Sequence, residues 1–158
     1  VRRGGVNQEV TVTSVRRSAD DPTPMVGFVP MMTYEFPVDV TISLGNVGGP
    51  SAGMMFALGI YDKLTPGKLT GGQHIAGTGT ISADGTVGPI GGIPQKMYGA
   101  ADAGARWFLA PTANCDAVVW NEPAGLTVFA VDTLDDAIDI VTAIGEGAPT
   151  DGFARCER

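Results

Sequence analysis

Hydrophobic and polar residues alternate with period two along residues 9–15 and again along 38–44 (V-D-V-T-I-S-L), which predicts strands with one buried face. Between them, 16–23 is polar, carries Asp20-Asp21-Pro22 and reads as a linker, while 25–32 is a short apolar run that reads as a strand. The stretch 45–50 breaks the pattern. From Ser51 to Lys63 the period lengthens, with Met54, Met55, Leu58 and Tyr61 at helical spacing, until Thr65-Pro66-Gly67 ends the helix. Strand character returns over 74–87, with Ala83-Asp84-Gly85-Thr86 as a hairpin turn, because Asp-Gly tolerates the backbone such turns need. After Gly91-Gly92, Pro94 fits the first position of a helix reaching Ala103, and Gly104 fits its C-terminal cap. The rest predicts a strand over 106–110, a helix over 113–120, a strand over 126–131 and a last helix capped by Asp132 or Thr133 and stopped by Gly145. Early strands followed by alternating helices and strands predict an α/β (α+β) sandwich of small sheets and helices. No internal repeat is visible.

Composition narrows the picture. At 158 residues the chain fits one domain, able to bury about 70% of the surface its unfolded form exposes. With 44% hydrophobic and 17% charged residues it is globular in character, and 23 glycines predict many turns and close backbone approaches. A net charge of −7 argues against nucleic acid as a partner, since phosphate binding needs clustered Lys and Arg. The basic residues Arg2, Arg3, Arg16, Arg17, Arg155 and Arg158 lie toward the ends and read as solvated. No apolar run reaches the length of about 18 residues needed to span a membrane, and no signal peptide is visible. The chain begins at Val1 without an initiator Met, as expected of an excised segment. Cys115, Cys156 and the lone His74 are too few and too widely spaced for a zinc site, so no metal or cofactor is expected. A Cys115–Cys156 disulfide would staple the tail to the body and imply an oxidising compartment; two unpaired thiols are the other reading.

The candidate chemistry lies in two segments. Gly48-Gly49-Pro50-Ser51-Ala52-Gly53 places a hydroxyl where a glycine-lined loop turns into an apolar helix, and Gly91-Gly92-Ile93-Pro94-Gln95-Lys96 places an amine in the first turn of another. A serine hydroxyl attacks well only when a base takes its proton, and lysine is a base only when neutral, which apolar surroundings favour. Ile90, Ile93 and Met97 are suitable neighbours for Lys96. Backbone N–H groups at the start of the Ser51 helix could stabilise an oxyanion, at about 3–4 kcal/mol per donor. Each segment also has an ordinary reading: Ser51 as a helix cap, Lys96 as a solvated charge. A triad built on His74 with Asp39, Asp62 or Asp84 has no supporting motif spacing, and a Cys–His hydrolase built on Cys115 has less.

From about residue 36 to 114 the sequence resembles the proteolytic domain of Lon proteases. The matching pieces are Gly49-Pro50-Ser51-Ala52-Gly53, Gly77-Thr78-Gly79-Thr80-Ile81, and Val87-Gly88-Pro89-Ile90-Gly91-Gly92-Ile93-Pro94-Gln95-Lys96. Tyr34-Glu35-Phe36-Pro37-Val38-Asp39-Val40 and Trp107-Phe108-Leu109-Ala110-Pro111 are closer still to bacterial Lon-like proteases with a PDZ domain, so that the resemblance covers roughly 34–145. The resemblance implies a serine endopeptidase acting on unfolded or flexible polypeptides, with Ser51 as nucleophile, Lys96 as general base and Thr78 as a supporting residue holding the amine. It also implies residues 1–24 as the trailing edge of a PDZ-side region, 25–146 as the peptidase domain and 147–158 as a tail. The full-length protein would be anchored on the outer side of a bacterial membrane through a segment absent from this chain, and could form a ring-shaped homo-oligomer. Gly48 stands where many Lon proteins have an acidic residue, so the resemblance does not carry a third, carboxylate member over to this chain at that position. No G-x-x-x-x-G-K-[ST] phosphate loop is present, so ATP-driven unfolding is not encoded here.

Two other readings use the same residues. The glycine-rich turn before the Ser51 helix also resembles the phosphate-binding loop of GHMP-type small-molecule kinases, where N–H groups at a helix start bind phosphate. That reading leaves Lys96 unexplained. A catalytically silent Lon-like assembly domain is the other.

Overall fold

The computed structural model describes residues 1–27, 37–43 and 49–157. The chain forms two compact units, Val1–Asp39 and Val40–Arg158.

The first unit holds two small antiparallel pairs. Strand β1 (Arg2–Arg3) pairs with β2 (Val6–Asn7), and β3 (Val15–Arg16) pairs with β4 (Pro24–Met25) across the polar 17–23 loop. In that loop the Asp21 carboxyl, bonded to Thr23, is held below its ordinary value. The strand expected over 9–15 does not form; only Val15 belongs to one. Alternation marks an apolar face, but a strand needs a neighbouring ladder and a core to receive that face. No described residue of this unit is buried. For the same reason the alternation at 38–43 carries no strand, and Val38, Val40 and Ile42 are exposed. Leu44 lies outside the described residues, as do 28–32 of the strand expected over 25–32.

The second unit is built on a parallel three-stranded sheet. Helix α1 (Gly53–Leu64) follows a 3₁₀ turn at Pro50–Ala52. Then come β5 (Ile75–Gly77), β6 (Thr80–Ile81), β7 (Val87–Gly88), α2 (Ile93–Asp102) and β8 (Trp107–Pro111). A 3₁₀ turn at Thr112–Asn114 leads into α3 (Cys115–Val118), β9 (Thr127–Val131) and α4 (Leu134–Glu146). In the sheet β8 is central, with β5 and β9 parallel to it on either side. Strands buried on both faces read as continuous apolar runs, which accounts for W-F-L-A-P and T-V-F-A-V. Side chains alternate between two cores. Leu109, Phe129 and Val131 pack with Met54, Leu58 and Ile140 under α1 and α4, while Phe108, Val128 and Ala130 pack with Ile93, Met97 and Val118 under α2 and α3. The α/β architecture read from the pattern is therefore present as helices on both faces of a small sheet.

The element ends differ from expectation in informative ways. The hairpin turn expected at 83–86 is present, joining β6 and β7 as an antiparallel pair closed at Gly85, whose φ is 86°, while the earlier part of the 74–87 stretch, β5, joins the parallel sheet instead. Thr86 N–H donates to Asp84 Oδ1 at 3.0 Å, and this bond holds the Asp84 carboxyl below its ordinary value. Thr133, not Asp132, caps α4: its hydroxyl accepts from Asp136 N–H while the Asp136 carboxylate accepts from Thr133 N–H. Gly145 lies inside α4, which ends at Gly147. It is glycine because a Cβ there would collide with Leu69 O. The helix expected over 113–120 shortens to α3, where the Asn121 side-chain amide donates to Ala117 O at 2.9 Å. Cys115 and Cys156 form a disulfide, and the tail beside it pairs with β9 through Ala130 N–H to Ala154 O at 2.9 Å.

Candidate active site

The Ser51 turn is fixed by the segment that leaves β5. Pro50 opens the 3₁₀ turn, where its fixed φ is already helical. Gly53 follows because a Cβ there would sit 3.0 Å from Ile81 Cγ2, so a side chain would push the turn off β6. The Ser51 carbonyl accepts two hydrogen bonds, from Gly79 N–H at 2.8 Å and from Thr78 Oγ1 at 2.8 Å. Gly79 O in return accepts from Met54 N–H at 3.1 Å, and Thr78 N–H donates to Leu109 O at 3.0 Å. The nucleophile candidate is thus tied through two residues to the central strand.

Lys96 comes from the opposite side. Gly92, at φ 70°, turns the chain into α2, and Lys96 N–H donates to Gly92 O at 3.3 Å in the first helical turn. Its neighbours Ile93 and Met97 are buried in the core beneath. The Lys96 side chain is half-buried, and its Nζ donates to Ser51 Oγ at 3.3 Å, across 45 residues of sequence. That separation is at the long end of hydrogen bonding.

The contact between Lys96 Nζ and the Ser51 hydroxyl is one that neither a helix cap nor a solvated charge requires. The Thr78 hydroxyl, the one buried polar side chain among the described residues, donates to Ser51 O and so holds the backbone of Ser51. His74 is exposed and lies before β5, while Asp62 accepts from Leu69 N–H and Asp84 from Thr86 N–H. No His–Asp arrangement faces Ser51 among these. Gly48 lies outside the described residues. Among the described residues no cluster of His, Cys, Asp or Glu could hold a metal.

One contact was not anticipated from sequence. Asn114 Oδ1 accepts from Ile90 N–H at 2.9 Å while its Nδ2 donates to Ile90 O at 3.0 Å. An asparagine in a turn ahead of a helix reads as a cap, and only the fold shows that it reaches a residue 24 positions earlier.

Residues 27–143 match the model of the Lon protease (S16) C-terminal proteolytic domain. The chain is 39% identical over 94 residues to the Lon protease of Campylobacter concisus, covering 57% of this chain and 11% of that protein. It is 34% identical over 93 residues to Lon protease 2 of Bacillus subtilis, covering 59% and 16%. To the Lon protease of Chloroflexus aurantiacus it is 35% identical over 137 residues, covering 84% and 16%. The chain belongs to the Lon proteolytic-domain family. It spans between 11% and 16% of the length of these three relatives.

Proposed function

We propose that this chain is a Lon-like serine endopeptidase unit in which Ser51 is the nucleophile and Lys96 the general base. The observation that carries the reading is the approach of Lys96 Nζ to within 3.3 Å of Ser51 Oγ, on two elements each anchored to the sheet. In the first step neutral Lys96 takes the Ser51 proton as Oγ attacks the peptide carbonyl. Gly53 N–H is already bonded to Pro50 O and Met54 N–H to Gly79 O, so we assign the oxyanion to the earlier amides of the turn, those of Ser51 and Ala52. The Lys96 ammonium then delivers its proton to the leaving amine, the acyl group remaining on Oγ. Lys96 then takes a proton from water as its oxygen attacks the ester carbonyl, and the Lys96 ammonium returns that proton to the departing Ser51 Oγ.

The substrates in this reading are unfolded or flexible polypeptides, as the family resemblance implies. Two further proposals rest on the family: a ring-shaped homo-oligomer, and attachment of the full-length protein to the outer side of a bacterial membrane. Among the described residues no helix is long and apolar enough to cross a membrane. The Cys115–Cys156 disulfide fits an oxidising location. Phosphate binding at the Ser51 turn, as in a GHMP-type kinase, would leave the Lys96–Ser51 contact without a task.

A fluorophosphonate probe separates these readings. The expected result is an adduct at Ser51, mapped by peptide mass spectrometry, with the labelling rate lowered about 100-fold or more in Lys96→Ala. Saturable ATP binding with no adduct would favour the kinase-like reading, and neither would mark a silent assembly domain.

A further inference from the structure

We propose that Asn114 is a positioning residue for Lys96, an inference that rests on the Ser51–Lys96 reading. Two short arms leave the central strand β8. One starts at Leu109 O, passes through Thr78 and Gly79, and ends on the Ser51 carbonyl. The other starts where β8 ends at Pro111, passes through the Thr112–Asn114 turn, and ends on Ile90. Ile90 lies past β7 and two residues before Gly92, the turn into the lysine helix. There its backbone is outside regular structure, and the Asn114 amide answers both of its polar groups at once. A backbone bonded through both N–H and C=O to one planar amide can neither slide nor rotate against β8. The start of α2, and with it the reach of Lys96 toward Ser51, is set by this clamp. The turn carrying Asn114 is itself held from the other side, because the next residue, Cys115, is bonded to Cys156. Both halves of the catalytic pair are thereby referred to one strand, by hydrogen bonds that touch neither substrate nor reacting atoms.

The clamp makes a prediction that a merely structural asparagine does not. In Asn114→Ala, kcat for an unfolded substrate and the rate of fluorophosphonate labelling at Ser51 should both fall about 10-fold or more, with KM within about 3-fold, because a displaced base costs turnover and not binding. In a Lys96→Ala background the same substitution should change labelling by less than about 2-fold, since the group it positions is gone. Asn121→Ala removes a side-chain bond to backbone near the same turn without touching Ile90, and should label like wild type. Asn114→Asp keeps the acceptor for Ile90 N–H but sets an oxygen against Ile90 O, and should show the same direction of loss if the alanine variant does not fold. Wild-type labelling in both Asn114 variants, or an equal fold loss with and without Lys96, would overturn the clamp while Ser51 and Lys96 stand. Labelling of wild type that is indifferent to Ser51→Ala and Lys96→Ala would overturn the dyad itself.

Discussion

Thr78 shows how much chemistry depends on a single proton. Its hydroxyl is buried and donates to Ser51 O, beside the Gly79 N–H that binds the same oxygen. Thr78→Val keeps the shape and removes that donor. The expected cost is about 1 kcal/mol of stability, by urea unfolding, because Ser51 O keeps one partner. If Ser51 is the nucleophile proposed above, turnover should fall about 10-fold as its backbone relaxes, and Thr78→Ser should restore most of it. Unchanged kcat in Thr78→Val would show that Gly79 alone holds the turn. At this scale the sequence was legible where residue type dictates chemistry. Ser51 and Lys96 stood out because a hydroxyl and an amine sat at helix starts among glycines. The partner of Thr78 and the reach of Asn114 were not legible, since both depend on which strands lie side by side.

At the scale of elements, the long periodic segments were readable and the short alternating ones misled. The helix begun near Ser51 and the strands β8 and β9 formed where expected because their apolar residues have a core to enter. Residues 9–15 and 38–43 alternate as cleanly, yet no described core receives them. Gly145 looked like a stop and is instead a point of contact with the 69–71 loop. The tail is the element most dependent on a covalent link. Cys115 and Cys156 lie 41 residues apart, and a loop of that size makes the disulfide worth about 4 kcal/mol on chain-entropy grounds. Cys156→Ser should lower urea stability by roughly that amount. A loss below about 1 kcal/mol would mean that the pairing of residues 154–155 with β9 suffices to dock the tail.

On the scale of the whole molecule, a sheet with helices on both faces carries a serine and a lysine on separate arms of one strand, in a chain that belongs to the Lon proteolytic-domain family. The cleavage chemistry proposed for it uses those two side chains, the backbone amides of the Ser51 turn and water. Its most direct test is cleavage of an unfolded protein by wild type, Ser51→Ala and Lys96→Ala, each shown to be folded. Wild type should cleave the substrate, and both variants should be inactive. Equal cleavage by all three proteins would contradict the account.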